Sequence, residues 1–492
     1  MTAVRPDGDD VEVLDTPEAG VKALRGSVVR AGGYGLGLLL GLISAPLLIR
    51  HLGIVDFGRY VTVASVVALV AGGTEGGLNA IALREFARTS GPARRAVMRD
   101  LLGMRLSLTT IGAFGAVAFS ILAGYDSDMV LGTVGGALAL LFLTTQDFLV
   151  VGLQGELRFG LATAAELVRQ VAATALIVTL VLVGAGLVPL LWVPLPAGII
   201  GLTFASALVR TRMPLRPSFD VARWRPLLLD TLPYAIAVAI GIAYFRAAML
   251  VTSLVTSKVE TGYFATSFRI IEMLLGIPGL VVGAAFPILA RASVGDRARH
   301  SHALRRILEL ALVAGAFTAL VTALIAPFAV HVLAGAKFDP SIPVLRIQAL
   351  ALAANFVGVA ASYGLLSQGR NRSILVANAC GLTAIVALNL ILASAYGAKG
   401  AAVATASAEW LLVLTLVAAL VRTDRSLRGA AGMLPTVVLA SAVGAAAMLL
   451  PVHSVVQTAI GAAGFGAVVA LLGRFPPEIR EVLTSARLRS GA

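Results

Sequence analysis

The sequence predicts an all-α, polytopic membrane protein with about fourteen transmembrane helices, and three observations lead to that fold class. Hydrophobic residues make up 58% of the 492 residues and charged residues only 13%. About fourteen apolar stretches of roughly 18–25 residues follow one another, each long enough to cross a hydrocarbon core ~30 Å thick. Arginine is concentrated in every second connection between these stretches, which is the charge pattern that orients membrane helices.

The predicted spans are separated by short outer connections and by longer inner loops. In chain order the spans are 28–49, 60–82, 103–124, 129–151, 161–184, 187–209, 227–256, 262–290, 307–334, 341–367, 373–396, 398–421, 433–451 and 454–473. The longest inner loops are 83–102, 210–226 and 291–306. None of the outer connections is long enough to form a catalytic domain, so we expect a transporter and not an enzyme.

The basic residues predict the orientation of the chain in the membrane. Most of the 39 Lys and Arg fall on one face, including the basic stretch 83–105. By the positive-inside rule that face is cytoplasmic, with both termini inside. Residues 1–20 are acidic and polar, which is typical of a disordered tail, and 474–492 form a second cytoplasmic tail. The net charge of +13 therefore reflects topology. The basic residues form no patch interleaved with aromatic residues, so nucleic-acid binding is not expected.

An internal repeat predicts two lobes. The sequence around Gly58 at the start of one span is similar to the sequence around Gly262 at the start of another. In the same way, similar sequences with Gln154 and Gln368 precede a second pair of spans. Each pair is separated by six spans, so the repeats have parallel topology, as in transporters built from two six-helix bundles. We expect an N-terminal lobe over 21–225, a C-terminal lobe over 226–428 and two additional helices within 429–473.

Several short motifs, taken in their order, resemble those of O-antigen-type polysaccharide flippases of the multidrug/oligosaccharidyl-lipid/polysaccharide exporter superfamily. They are Leu52-Gly53, Phe57-Gly58-Arg59-Tyr60, Gly76-Gly77-Leu78, Arg84-Glu85-Phe86-Ala87, Gly152-Leu153-Gln154-Gly155 and Gly397-Ala398-Lys399-Gly400. The resemblance implies two bundles around a central cavity. It also implies movement of polyprenyl-pyrophosphate-linked oligosaccharide across a bacterial cytoplasmic membrane by alternating access. A polysaccharide polymerase and glycosyltransferases are the implied protein partners.

Arg246, Arg269 and Glu272 are the foremost predicted substrate-binding residues. Arg246 precedes the predicted outer turn at Lys258 by about as many residues as Arg269 follows it. At ~1.5 Å per residue both arginines lie near mid-membrane and level with each other. A guanidinium binds phosphate oxygens bidentately and stays charged, so the pair is expected to bind pyrophosphate. A purely structural salt bridge is the alternative.

Other ionisable residues are expected to serve the same cavity or its entrance. Arg346 and Glu409 lie within predicted spans, where such groups are functional candidates by default. Glu75 is a candidate for coupling to a proton or sodium gradient. The remaining predictions are Arg25, Arg30 and Arg84 at a cytoplasmic mouth. Glu166 and Arg169 are expected to pair with each other or with Asp147 and to hold helices together.

No metal or organic cofactor is expected. The five histidines are scattered, and Cys380 stands alone, so no metal-ligand spacing occurs. Gly33-Tyr34-Gly35-Leu36-Gly37 resembles a nucleotide loop, but it lies in an apolar span without a Lys-Ser/Thr pair. Energy is expected from a proton or sodium gradient, or from removal of substrate on the far side.

Four alternatives stay open at this point. A lipid II flippase of peptidoglycan synthesis shares the fourteen-span arrangement, although the Leu-Pro-Asn-Leu string typical of that branch is not present in the second span. A multidrug and toxin extrusion antiporter shares the superfamily fold. An integral membrane glycosyltransferase or polymerase would need an acidic catalytic cluster. The fourth alternative is a scaffold that organises an export complex without transporting anything itself.

Overall fold

The structure is a computed structural model that describes residues 19–210, 213–283 and 297–473, and within these ranges it is helical with no strand. The predicted tails lie almost wholly outside the described residues. The helices are α1 (Ala19–Glu75), α2 (Leu78–Arg88), α3 (Gly91–Leu122), α4 (Ser127–Gly155), α5 (Phe159–Leu182), α6 (Leu187–Trp192), α7 (Pro194–Val209), α8 (Val221–Val255), α9 (Lys258–Leu274), α10 (Gly276–Gly283), α11 (Arg297–Leu333), α12 (Ser341–Ser367), α13 (Asn371–Thr423), α14 (Leu434–Ala445) and α15 (Ser454–Leu471).

Eleven helices in the described ranges are long and apolar enough to cross a membrane. Two of these candidate spans are much longer than the rest: Gly35–Arg88, which combines most of α1 with α2, has 54 residues, and Asn371–Thr423, which is α13, has 53. At ~1.5 Å per residue such lengths are far more than one ~30 Å crossing requires. Each contains a glycine with a positive φ, Gly53 (φ 70°) and Gly397 (φ 59°), which bends the helix where the sequence predicts two spans. The count of fourteen crossings stays a prediction.

The chain divides into two compact units. The first extends to His51 and includes Val63–Ile242, and the second combines Leu52–Thr62 with the residues from Ala243 onward. The division falls inside α8, because that helix is continuous from Val221 to Val255. The predicted lobe boundaries at 225/226 and 428/429 stay predictions.

In the first unit, α4 is the central helix. It packs against α3 on one side and α7 on the other, with Phe148 and Leu149 buried in a core shared with Met98 and Leu101 of α3. Small polar side chains bridge the same helices, since Ser120 donates to Thr133 over 3.0 Å. Such contacts are typical of membrane helices, where small residues allow close packing.

In the second unit, α12 lies between α11 and α13. Phe356 and Leu352 of α12 are almost fully buried there. Two further helices, α14 and α15, pack against α11 through a core that includes Leu324 and Phe465. The helices of the last two predicted spans lie in the second compact unit.

The two repeat-related glycines contact each other within the second unit. A Cβ added to Gly58 would lie 2.9 Å from the backbone nitrogen of Gly262, and a Cβ added to Gly262 would overlap the carbonyl oxygen of Ile54. Both obstacles are backbone atoms, which cannot move aside as a side chain can. Glycine at both positions therefore allows α1 and α9 to cross at backbone contact.

We expect Gly262→Ala to destabilise the protein by about 1–3 kcal/mol, because the added methyl group must push two backbones apart. The measurement is the apparent melting temperature of the purified full chain at a fixed heating rate. Gly466→Ala is the matched control, since no atom lies near a Cβ at that position. Equal melting temperatures for the two variants would contradict the close contact.

Candidate functional site

The helical hairpin α8–α9 positions the foremost predicted residues in the second unit. The turn lies at Thr256 and Ser257, and the Ser257 side chain caps α9 by accepting a hydrogen bond from the Glu260 backbone N–H over 3.3 Å. Arg246 lies on α8 before this turn, and Arg269 lies on α9 after it. At ~1.5 Å per residue each is roughly 14–17 Å from the turn, so the two lie at similar depth.

Glu272 joins the two arginines. Its Oε1 lies 2.9 Å from Nη2 of Arg246, and its Oε2 accepts from Nη1 of Arg269 over 2.7 Å. The Arg246 guanidinium also lies 4.9 Å from the centre of the Phe245 ring. Each carboxylate oxygen therefore pairs with one guanidinium, and the cluster as a whole carries one excess positive charge.

The three side chains differ in access to solvent. Arg269 is 41% exposed, whereas Arg246 and Glu272 are 19% and 22% exposed. A guanidinium has five N–H donors, so the contact with Glu272 uses only part of the capacity of each. Chemically, the cluster can bind a divalent or polyvalent anion through the exposed side of Arg269. If Glu272 moves, the same anion can also contact Arg246. Its role in substrate binding stays a prediction.

Arg346 and Glu409 lie elsewhere in the second unit. Arg346 donates from Nε to the Ala323 carbonyl over 3.2 Å, which links α12 to α11. Glu409 of α13 is 9% exposed and accepts hydrogen bonds from the Tyr244 hydroxyl and, over 3.0 Å, from Nδ2 of Asn355. Glu409 thus connects α8, α12 and α13. Sequence reasoning gave no signal for Tyr244 or Asn355.

The residues predicted for coupling and for the cytoplasmic mouth lie in the first unit. Glu75 is the last residue of α1 and is half-buried. Arg84 on α2 pairs with the adjacent Glu85 over 3.0 Å. Arg25 and Arg30 belong to α1, but their side chains lie outside the described part of the structure. None of these positions tests the proposed roles.

The first unit contains several charged side chains whose contacts the sequence predicted only in part. Arg169 donates to Glu166, so the predicted pair is present. Arg105, which ends the basic stretch 83–105 at the start of the predicted span 103–124, lies inside α3 and is 1% exposed. It interacts electrostatically with Glu75 and Asp147. Its burial was not predicted. Within the described residues no group of His, Cys, Asp or Glu could hold a metal ion.

A buried carboxylate should make Glu409 important for stability. Glu409→Leu leaves the Tyr244 hydroxyl and the Asn355 amide without their acceptor, at a cost of about 1–3 kcal/mol for each buried group. Glu409→Gln keeps an acceptor oxygen and should cost less. We expect the apparent melting temperature to fall in the order wild type, Gln variant, Leu variant. A Leu variant as stable as the wild type would show that these hydrogen bonds do not stabilise the helices.

Comparison with known proteins identifies the family. The family model described as "Polysaccharide biosynthesis protein" matches residues 23–293, which is more than half of the chain. The chain belongs to this family. The predicted resemblance to polysaccharide flippases of the multidrug/oligosaccharidyl-lipid/polysaccharide exporter superfamily is thereby confirmed. No curated protein sequence matches the chain.

Solved structures confirm the fold class of this family member. The lipid II flippase MurJ in an inward closed conformation aligns with a TM-score of 0.74 at 14% identity, covering 91% of this chain and 99% of that one. An inward-facing multidrug resistance transporter of the MATE family aligns with a TM-score of 0.58 at 14% identity, covering 82% and 99%. An outward-facing multidrug resistance transporter of the MATE family aligns with a TM-score of 0.57 at 16% identity, covering 86% of this chain and 100% of that one. The chain is therefore a multi-pass membrane protein with a transporter fold.

Proposed function

We propose that this protein flips polyprenyl-pyrophosphate-linked oligosaccharide from the inner to the outer leaflet for envelope polysaccharide biosynthesis. The single observation that carries the proposal is the Arg246–Glu272–Arg269 cluster within the helical hairpin α8–α9. A charged group at mid-membrane costs at least ~2.5–3.5 kcal/mol. The family transports lipid-linked material, and an excess positive charge at this depth fits the pyrophosphate of such a substrate.

Glu272 gives the cluster a means of release. Each guanidinium has Glu272 as its partner, so neither is an isolated charge in a membrane-spanning helix. A pyrophosphate binds by replacing Glu272 at one or both arginines. When the substrate leaves, Glu272 pairs with them again. Competition with Glu272 therefore moderates the binding energy, which keeps the affinity low enough for the substrate to be released.

The membrane location and the energy source complete the proposal. We place the protein in the bacterial cytoplasmic membrane with both termini in the cytoplasm. Transport is driven by a proton or sodium gradient, with Glu75 as the coupling residue, or by removal of the substrate in the outer leaflet. A polysaccharide polymerase and the glycosyltransferases that build the glycan are its functional partners. No catalysis by the chain itself is part of the proposal.

Removing either guanidinium should slow flipping. Each charge-assisted hydrogen bond contributes about 1.5–3 kcal/mol, so Arg246→Gln and Arg269→Gln should each reduce the rate about tenfold or more. The measurement is a leaflet-specific assay in proteoliposomes with a fluorescent polyprenyl-pyrophosphate oligosaccharide.

Arg428→Gln is the control for total charge, because Arg428 is exposed and lies in the connection Arg425–Met433. It should flip the substrate at the wild-type rate. If both cluster variants also do so at matched protein amounts, the pyrophosphate is not bound there and the proposal fails.

Glu272→Gln separates substrate binding from a structural salt bridge. Removing the carboxylate raises the charge of the cluster from +1 to +2, so we expect tighter binding of inorganic pyrophosphate and slower release of the lipid substrate. A salt bridge that only fixes the helices predicts the opposite, which is a lower melting temperature with no gain in pyrophosphate affinity. Calorimetric titration with pyrophosphate and a melting curve distinguish the two.

A lipid II flippase is the second candidate, and the match to MurJ over 91% of this chain favours it. Both substrates carry a polyprenyl pyrophosphate, so the arginine variants affect both. The discriminating measurement is competition between fluorescent lipid II and the lipid-linked oligosaccharide at the wild-type protein. Preferential flipping of lipid II would replace the glycan assignment while keeping the role of the cluster.

A further inference from the structure

The first unit contains a cavity of about 450 Å³ between α1, α2, α4 and α5, which the proposed role of the arginine cluster does not use. Six side chains on its wall carry an amide or a carboxylate: Asn79, Gln146, Asp147, Gln154, Glu166 and Gln170. No Lys or Arg is among the described residues that line it. Among the described residues, the wall therefore offers none of the fixed cations that a phosphate site needs.

Buried amide oxygens in this wall lack hydrogen-bond donors. Gln146 is 1% exposed; its Nε2 donates to the Ala165 carbonyl over 3.0 Å, but its Oε1 has no donor among the described residues. The same is true of Oδ1 of Asn79 and Oε1 of Gln170 in the described structure. A buried acceptor without a donor costs ~1–3 kcal/mol, so a ligand that brings hydroxyl groups would be favoured.

The two carboxylates of the wall are not equivalent. Glu166 already accepts from Arg169 and, over 2.7 Å, from Nε2 of Gln170. Asp147 is exposed and makes no hydrogen bond or ion pair within the described ranges. The cavity thus offers one accessible carboxylate and four amides. An amide both donates and accepts, as a hydroxyl group does, so this set complements a polyol better than an ion.

Two glycines of α1 allow this helix to pack closely against α5 beside the cavity. A Cβ at Gly33 would overlap the methyl group of Thr163, and a Cβ at Gly37 would overlap Oε1 of Gln170. The absence of side chains at these two positions lets α1 lie directly against α5. The sequence Gly33-Tyr34-Gly35-Leu36-Gly37, which resembles a nucleotide loop, is therefore a packing surface beside the cavity.

We propose that this cavity binds sugar residues of the transported glycan through neutral hydrogen bonds. The inference rests on the proposed function for the identity of the substrate. The volume of the cavity falls within the ~300–1,000 Å³ of small-molecule sites, and Phe159 supplies an apolar surface on its wall. Sugars and pyrophosphate are then recognised by different chemistry, with amides in the first unit and arginines in the second.

Saturation-transfer NMR on the purified full chain in nanodiscs tests the cavity with soluble probes: lactose, maltotriose and N,N′-diacetylchitobiose. We expect the wild type to bind at least one of them. Asn79→Leu and Gln154→Leu, on different helices, should each weaken that binding about five- to tenfold, as expected for the loss of one or two hydrogen bonds. Asp147→Asn should bind within about threefold of the wild type, because an asparagine amide still pairs with hydroxyl groups.

Two results would overturn the inference. One is failure of the folded wild type to bind any of the three sugars, or binding that both Leu variants leave unchanged. The other is binding of sodium or ethidium that Asp147→Asn abolishes, which would identify a cation site instead. Arg246→Gln separates this test from that of the proposed function. If it stops flipping but retains sugar binding, both proposals stand. If Gln154→Leu loses sugar binding but flips normally, the cavity binds sugars but does not recognise the transported glycan, so this inference fails while the proposed function stands.

Discussion

The bridge formed by Glu272 between Arg246 and Arg269 is the interaction on which the functional interpretation depends. An arginine in a membrane-spanning helix needs a partner, because isolated charges in hydrocarbon cost at least ~2.5–3.5 kcal/mol. One carboxylate cannot neutralise two guanidiniums, so the bridge leaves one positive charge in excess while giving each arginine a contact below 3 Å. The bridge therefore stabilises both arginines and leaves an excess charge that fits an anionic ligand.

The two compact units carry different polar chemistry. In the second unit, the cluster in the hairpin α8–α9 consists of two arginines and one carboxylate. In the first, four of the six amide or carboxylate side chains on the cavity wall are amides, and Arg105 is buried away from solvent. A lipid-linked oligosaccharide also has two polar parts of different character, a charged pyrophosphate and an uncharged glycan. Two sites of different chemistry would recognise such a molecule more specifically than one site that favours any anion.

The fold was largely predictable because helical spans follow from local composition, and the pairing of Gly58 with Gly262 is consistent with the internal repeat. The equal depth of Arg246 and Arg269 followed from helical rise alone. Glu409 shows what could not be predicted, since its partners Tyr244 and Asn355 lie on two other helices. The burial of Arg105 was not predicted either, because hydropathy alone shows it only as the last of six basic residues in 83–105. Hydropathy does not reveal contacts between distant segments.

A transporter must hold its substrate in one state and lose it in the next, so the strongest possible site is not the best one. Two unpaired arginines would bind pyrophosphate tightly on both sides of the membrane, and the substrate would not be released. Glu272 reduces that affinity by an amount set by its own pairing with the arginines. A change in helix geometry that strengthens the pairing in one state weakens substrate binding there, because a ligand shifts an equilibrium only through different affinities for the two states. The carboxylate therefore gives the helices a direct means of controlling release.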